Sequence, residues 1–467
     1  VADLHELSLR ALAAALRDGD VTPVEAVAYF LARAEAHAGL GAFTELTADA
    51  ARERAASLGA PPADPPPLWG VPLADKDLVA RAGVPTRYGS RVNADHVPER
   101  SDPLAVVLDD AGAISLGKTS TPEFGLTGFT ETRIGPPARD PWDPGNGAGG
   151  SSGGAAVAVA AGLLPAAPAS DGGGSIRIPA ATVGVVGLKP SRGRVPAGSG
   201  LDSPGGLAVA GPLARTADDA AMLLDVLAAG PHPYATRAPG EGPFSEAARV
   251  LPGQLRVGVT TTSPWQESMD IRLDDGSRTA LDEAVRVLEG AGHGIDDVAW
   301  EPRGYADMFM TLWSASAARI AVPEERLDQV EPITAWLIRS GRALTAERLL
   351  AAYAAAAAFE RQTIAAFDGY DVVLTPALAL PPQPVGWFAQ DDPERSFERQ
   401  CQYAPYSSFV NVAGLPAVTV PVTRAAGDEG HPVSVQLIGR PGGEALILHL
   451  ASHLERARGP LPWPPGV

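Results

Sequence analysis

The sequence predicts an α/β fold with a buried sheet. Short apolar runs bounded by Gly and Pro alternate with segments of helical periodicity, which is the pattern of strands laid between helices. Strand-like runs recur toward both ends of the chain, so one large sheet shared by both ends accounts for 467 residues at least as well as the three domains that length alone suggests. A composition of 45% hydrophobic and 20% charged residues is an ordinary globular balance. Area scaling leaves roughly 16,000 Å² exposed when folded against about 70,000 Å² for the extended chain, enough for a core of many tens of side chains.

In chain order, residues 7 to 37 repeat apolar positions at three- and four-residue spacing, and Thr22-Pro23 sits as an N-cap and first helical residue, which predicts two opening helices. Five prolines between Pro61 and Pro67 make a stiff loop that no helix crosses. Trp69 to Leu73, Ala113 to Leu116 and Val183 to Leu188 read as strands, with helices over Leu104 to Asp110 and Thr216 to Leu227 between and after them. Residues 229 to 253, rich in Pro and Gly, read as a surface loop. Residues 278 to 290, 305 to 321 and 344 to 367 read as helices, the last containing an Ala-rich run that favours helix and specifies little chemistry. Tyr370 to Thr375, Ala417 to Val422 and Val433 to Ile438 return to strand patterning, and no internal repeat of fixed period is present.

Net charge narrows the function classes. With 37 Lys+Arg against 55 Asp+Glu the chain carries -18, which disfavours autonomous binding to nucleic acid or to an anionic membrane surface. The most apolar stretch, Ala155 to Ala169, is short and broken by Gly162, Pro165 and Pro168, so no membrane span is expected. Cys401 is the lone cysteine and has no intrachain partner, and acidic Asp3 and Glu6 stand where a secretory signal carries basic residues. The expected compartment is the reducing cytoplasm.

Four motifs offer chemistry. Gly112 to Thr119 satisfies the phosphate-loop spacing of an NTPase, but its apolar Ala-Ile-Ser-Leu centre looks like a strand, with Lys118 capping it. Ser115-Leu-Gly-Lys118 matches a Ser-x-x-Lys pattern that requires a helix, which Gly117 opposes. Gly145 to Gly154 holds six glycines around Ser151 and Ser152; both serines satisfy Gly-x-Ser-x-Gly, yet no strand precedes them as that elbow requires. A flexible linker is the bland alternative, although the run leads straight into the small-residue helix Ala155 to Ala161. In Ser170-Asp-Gly-Gly-Gly-Ser-Ile-Arg-Ile-Pro179, three glycines leave successive N–H groups unobstructed, which suits a cradle for a developing oxyanion beside Ser175. An ordinary turn is the alternative there, against which Asp171 and Arg177 bracket the turn and are placed to pair. His293 and His431, downstream of Ser151, read as loop or surface histidines, and no His/Cys/Asp/Glu cluster has metal-ligand spacing.

Gly149-Gly-Ser-Ser-Gly-Gly154 taken with Asp171-Gly-Gly-Gly-Ser-Ile-Arg-Ile-Pro179 resembles the amidase signature family. Gly70-Val-Pro-Leu-Ala-Asp-Lys-Asp77 is similar to that family's lysine segment, and Gly187 to Val195, Gly211 to Thr216, Gly414 to Pro421 and Gln436 to Pro441 follow in its order. The resemblance implies a single large domain over 1–467 with a central mixed β-sheet covered by helices. Within it 66–227 would be the signature core, 254–369 a variable helix-rich part and 370–454 the return to the sheet. It implies a small-molecule amide as substrate and no cofactor; homodimers occur in the family, but no stripe here identifies an interface.

The resemblance further implies a triad of Ser175 as nucleophile, Ser151 as bridging serine after a cis Gly150–Ser151 peptide, and Lys76 as general base. Ser152, Ser170, Asp171 and Arg177 would support it, and the N–H groups of Gly172, Gly173, Gly174 and Ser175 would form the oxyanion hole. For Lys76 to accept a proton its pKa must fall from about 10.4 to near 8, which burial can supply. Asp75 departs from the family, where an apolar residue is usual; strand alternation predicts that Asp75 and Asp77 both face away from Lys76. Pro168 and Gly172 are further departures, and Ile178 replaces the Gln usual in the glutaminase subunits of tRNA-dependent amidotransferases, the runner-up within the family. Phe124, Phe129, Trp313 and Trp336 are the aromatic candidates for an acyl pocket.

Overall fold

Polarity of the strands separates two sheets in the computed structural model, which describes residues 3–198, 203–229, 243–249, 253–425 and 430–467. The smaller sheet has β1 (Phe43–Leu46), β2 (Pro72–Lys76) and β3 (Ile114–Thr119), with β3 in the middle, antiparallel to β1 and parallel to β2. The larger sheet contains β4 (Ala166–Asp171), β5 (Val186–Lys189), β6 (Val209–Ala214), β7 (Arg256–Val259), β8 (Gly294–Asp297), β9 (Val372–Pro376), β10 (Ala417–Arg424) and β11 (Pro432–Gly439). Its order is β4-β6-β5-β10-β11-β9-β7-β8, antiparallel from β4 through β9 and parallel across β9, β7 and β8. The sheet is therefore mixed. Ala417 of β10 faces Lys189 on one side and Ile438 of β11 on the other, so the C-terminal hairpin fills the centre of a sheet begun by the first half of the chain.

Local sequence explains the elements that carry the site. Strand β2 is buried along its whole length and runs beside β4, which brings the small sheet against the edge of the large one. Pro168 stands opposite Pro212 on β4 and β6; neither residue has an N–H to lose, and β4 is an edge strand, where proline is tolerated. The helix Gly153–Ala160 is buried at every residue. Gly154 must be Gly, because a Cβ there would lie 2.3 Å from Ser120 N and 2.4 Å from Ala42 O. The opening helices are Leu9–Asp18 and Pro23–Ala36, the second closed by a capping box between Thr22 and Glu25. One apolar cluster joins Leu12 and Phe30 of these helices to Val157, Leu213 and Leu437; a second, aromatic cluster gathers Trp265, Trp300, Tyr305, Phe309 and Phe409.

Several boundaries differ from expectation. Val183 ends the helix Arg177–Val183 rather than starting a strand, because Gly184 at φ 75° closes the helix in a left-handed cap and β5 begins only at Val186. Trp69 and Gly70 lie in a turn ahead of β2. Within the expected surface loop, Phe244–Ala247 is a short helix whose Phe244 is buried, while 230–242 and 250–252 lie outside the described residues.

Candidate active site

Three segments far apart in sequence meet at the seam between the sheets. Lys76 ends β2, Ser151 stands in the turn that enters the helix Gly153–Ala160, and Ser175 closes the glycine turn between β4 and the helix Arg177–Val183. The Gly150–Ser151 peptide is cis. Lys76 Nζ donates to Ser151 Oγ at 2.7 Å, to Ser170 Oγ at 3.1 Å and to Ser170 O at 3.4 Å. Ser152 ties the segments together, its Oγ donating to Ser170 O at 3.2 Å and its N–H to Ser175 O at 3.1 Å. The Ser175 hydroxyl makes no hydrogen bond to a described residue; it lines a cavity shared with Ser151, Ser170 and Gly172.

Burial sets the charge of the lysine. Lys76 is 1% exposed, and removal from water brings its pKa down from 10.5 to about 7, outweighing the Asp171 carboxylate, which acts in the other direction. The flanking carboxylates do not oppose this. Asp75 turns to Arg81 (Nε to Oδ2, 2.6 Å) and to Ser115 Oγ at 3.3 Å, while both Asp77 oxygens accept the Arg87 N–H at 3.2 Å. Both face away from Lys76, as strand alternation requires.

Asp171 organises the glycine turn. Its carboxylate accepts from Gly174 N at 2.7 Å and Ile176 N at 3.1 Å, and pairs with Arg177 at 3.0 Å through both Nε and Nη2. Burial alone would raise its pKa; the Arg177 guanidinium, then Lys189 and Asn411, outweigh that and hold it far below the ordinary carboxylate range. Gly174 is consequently a correction to the expected oxyanion hole: its N–H is already committed to Asp171. The N–H groups of Gly172, Gly173 and Ser175 have no partner among the described residues. At Gly174, φ is 129° and a Cβ would lie 2.3 Å from Ser407 Oγ, so glycine is required for conformation and for space.

Three supporting residues escaped the sequence reading. Asn411 donates to Asp171 Oδ1 and O at 2.8 and 2.9 Å and accepts from Arg177 Nη2 at 2.6 Å. Gln436 accepts from Arg177 Nη1 at 2.7 Å, and Ser407 Oγ donates to Gly173 O at 2.7 Å. Asn411 and Gln436 are amides buried in otherwise apolar runs, Phe409–Val412 and Val435–Ile438, a signal that local reading could have used.

Comparison with known proteins gives the family. The Amidase family model matches residues 25–448. A Synechocystis sp. protein named as an amidase is 34% identical over 464 residues, covering 97% of this chain and 89% of that one. The chain belongs to the amidase signature family. It is an amide hydrolase. A 6-aminohexanoate cyclic dimer hydrolase solved with its substrate superposes with a TM-score of 0.88 at 28% identity, covering 98% of both chains. A bacterial aryl acylamidase superposes with a TM-score of 0.84 at 25% identity, covering 98% of this chain and 97% of that one.

In this amidase, two of the four aromatic candidates border the cavities at Ser175. Phe124, at φ 51°, lines one of them and Trp313 lines both. Phe129 and Trp336 are corrections. Phe129 is buried and stacked on Phe388 at 4.5 Å, where its backbone walls in Gly150, and Trp336 packs on Phe397 at 6.2 Å behind the cavity wall. The walls also include Leu126, Trp265, Phe309 and Phe397, scattered over 271 residues of sequence from 126 to 397 and so invisible to a local pattern. Gly172 lies against Trp313, where a Cβ would stand 3.4 Å from two ring carbons, an ordinary contact, so the ring does not explain the glycine.

The decoy motifs resolve structurally. Residues 114–119 are strand β3, so neither a phosphate loop nor a Ser-x-x-Lys helix exists there; Lys118 is buried with its amine on the Val79 carbonyl and 4.0 Å from Asp77. His431, expected as a loop or surface residue, is largely buried and paired with Asp140 at 2.7 Å, and it lines neither cavity at Ser175. No helix among the described residues is long and apolar enough to cross a membrane.

Proposed function

We propose that this amidase works through an acyl-enzyme on Ser175, with Ser151 relaying a proton to and from Lys76. Ser175 Oγ bonds to the amide carbon while its proton passes to Ser151, whose own proton passes to Lys76; the developing oxyanion settles on the N–H groups of Gly172, Gly173 and Ser175. The chain of transfers then reverses: Lys76 returns a proton through Ser151 to the leaving nitrogen, the C–N bond breaks and amine departs. Water repeats the sequence on the ester, giving acid and free Ser175. Substrate-free sites commonly hold such hydrogen bonds loosely, which suits an unbonded Ser175 hydroxyl.

The observation that carries this reading is the buried Lys76 amine 2.7 Å from Ser151 Oγ with its pKa brought to about 7. At pH 7.5 an ordinary lysine is neutral in about one molecule in a thousand, whereas one titrating near 7 is mostly neutral, a gain of roughly 10³ in available base. Lys76→Ala, Ser151→Ala and Ser175→Ala should each lower kcat by at least ~10³. Mass spectrometry of quenched wild type should show an acyl adduct on the Ser175 peptide. Undiminished hydrolysis by Lys76→Ala rejects the proposal.

A glutaminase role is the second reading, since a Nitratidesulfovibrio vulgaris protein named as the first subunit of glutamyl-tRNA(Gln) amidotransferase is 33% identical over 504 residues and 99% of both chains. Ile178, in place of the Gln usual in those subunits, weighs against it. Cys401 is buried and free, which suits the reducing cytoplasm.

A further inference from the structure

Ser175 stands where two cavities of unequal size meet, with Trp313 and Leu126 in the wall of both. The smaller is walled by Trp265, Phe309, Phe397, Ile178 and Cys401, with the Phe309 and Trp313 rings stacked at 5.5 Å. Apart from Ser175 and the Cys401 thiol, its polar side chains are already spent within the protein. Thr127 Oγ1 donates to Phe129 O, Gln400 accepts from Gly128 N and donates to Ser396 O, Tyr403 shares a hydrogen bond with Thr182, and Ser408 Oγ is bonded to Trp265 Nε1 and the Tyr305 hydroxyl. The larger cavity is walled by Leu78, Tyr88, Phe124, Leu207 and Ile320, and it alone of the two includes Ser151 and Ser170. None of the described residues lining either cavity is Asp, Glu, Lys, Arg or His.

We propose that the substrate is an uncharged, N-substituted amide with apolar groups on both sides of its C–N bond, the acyl group lying in the Trp265–Phe309–Phe397 chamber and the amine group in the chamber beside Ser151. The assignment of sides rests on the acyl-enzyme reading above. The nitrogen must gain a proton as it leaves, and the hydroxyl that delivers it, Ser151, borders one chamber only, so the leaving group occupies that chamber and the acyl group the other. Neutrality follows from the walls: an ammonium or carboxylate entering either chamber leaves water and meets no charged side chain among the described lining residues. Glutamine, which carries both charges, is a poor fit. An aryl or alkyl group on each side gains from apolar burial.

The test uses the unmodified enzyme and four amides: N-benzyl-3-phenylpropanamide, the primary amide 3-phenylpropanamide, N-benzylsuccinamate with a carboxylate on the acyl side, and N-(2-aminoethyl)-3-phenylpropanamide with an ammonium on the amine side. The first should exceed each of the others in kcat/KM by ten-fold or more. Glutamine should be hydrolysed still more slowly. A preference below ten-fold, or a preference for either charged amide, overturns the proposal. Narrowing each chamber tests the sides: Cys401→Trp should lower the preference for 3-phenylpropanoyl over acetyl anilides at least five-fold, and Ile320→Trp the preference for benzyl over methyl amines by the same factor. Crossed effects in correctly folded variants overturn the assignment, and the substrate series stands without them if a variant does not fold. Ser175→Ala separates the two levels: charged amides hydrolysed within ten-fold of N-benzyl-3-phenylpropanamide in a Ser175-dependent manner refute this inference alone, whereas hydrolysis that survives Ser175→Ala refutes the acyl-enzyme itself.

Discussion

Replacing Lys76 by Met should abolish activity and stabilise the fold at neutral pH, and the pH dependence of that stabilisation measures the state of the base. Lys76 falls from 10.5 to about 7 on burial. At 1.36 kcal/mol per pKa unit this amounts to roughly 5 kcal/mol withheld from the folded state at and below pH 7. Met recovers that amount less about 1–3 kcal/mol for the Ser151 and Ser170 oxygens that lose a partner, a net gain of about 2–4 kcal/mol. The sign follows from proton counting. Between pH 7 and 10.5 the unfolded chain binds a proton at Lys76 that the folded chain does not, so wild-type stability rises with pH by about 1.4 kcal/mol per unit relative to the variant. The cost vanishes above 10.5 and is complete below 7. For a chain of 467 residues the unfolding entropy is roughly 1 kcal/mol/K, so each pH unit closes the Tm gap by about 1.4 °C. Thermal melts of both proteins at half-unit steps from pH 7 to 9.5 read this directly. The Met variant should melt about 2–4 °C higher at pH 7, and the order should reverse near pH 9. A gap that stays constant across the range means that the buried amine keeps its proton, and the base is lost from the mechanism.

The kcat/KM profile of wild type should rise with pH through an apparent pKa of about 7 as Lys76 becomes neutral, a limb visible in initial rates from pH 5.5 to 9. Asp171→Asn leaves the Arg177 guanidinium buried without its counter-charge, so stability should fall by about 3–5 kcal/mol in denaturant titration. The same variant removes a carboxylate that raises the Lys76 pKa, so its residual activity should show that limb at lower pH. Gly174→Ala forces a side chain into φ 129° and against Ser407, and kcat should fall at least ~10²-fold with a lowered Tm. Lys118→Met should leave Mg-ATP binding at the wild-type level, namely none by calorimetry, because the residue sits inside strand β3.

What the sequence discloses of the fold follows the range of the forces involved. Thr22-Pro23 and the long periodic stretches announce their helices because cap and period lie within one turn of the residue concerned. Strand β6, Val-Ala-Gly-Pro-Leu-Ala, does not announce itself: Gly211 and Pro212 read locally as breakers, and only pairing with β4 and β5 makes it a strand. Strands β7 and β8 have four residues each, and β8 ends in two acids, so neither presents an apolar run long enough to detect. The helix Phe244–Ala247 shows the reverse error, in which a Pro- and Gly-rich neighbourhood conceals a turn fixed by the burial of one Phe.

The site divides along the same line, and the division exposes a conflict that the fold resolves. Asp171, the glycines and Ser175 form one short segment, so a local motif displays them; Lys76 lies 75 residues before Ser151 and acquires its unusual proton affinity only from what surrounds it. A carboxylate rigid enough to hold the turn must sit close to a lysine that has to stay neutral, and its charge raises the pKa that burial lowers. Burial outweighs that charge at Lys76, and Arg177 takes Asp171 in a two-pronged pair, while Asn411 and Gln436 brace the guanidinium from the opposite end of the chain. The two amides come from the helix Ser408–Val412 and from β11, elements that exist to complete the sheet. The hairpin that closes the sheet thus also supplies Gln436, one of the two amides that hold Arg177 against Asp171, so the glycine turn beside Ser175 depends on the last strands of the chain.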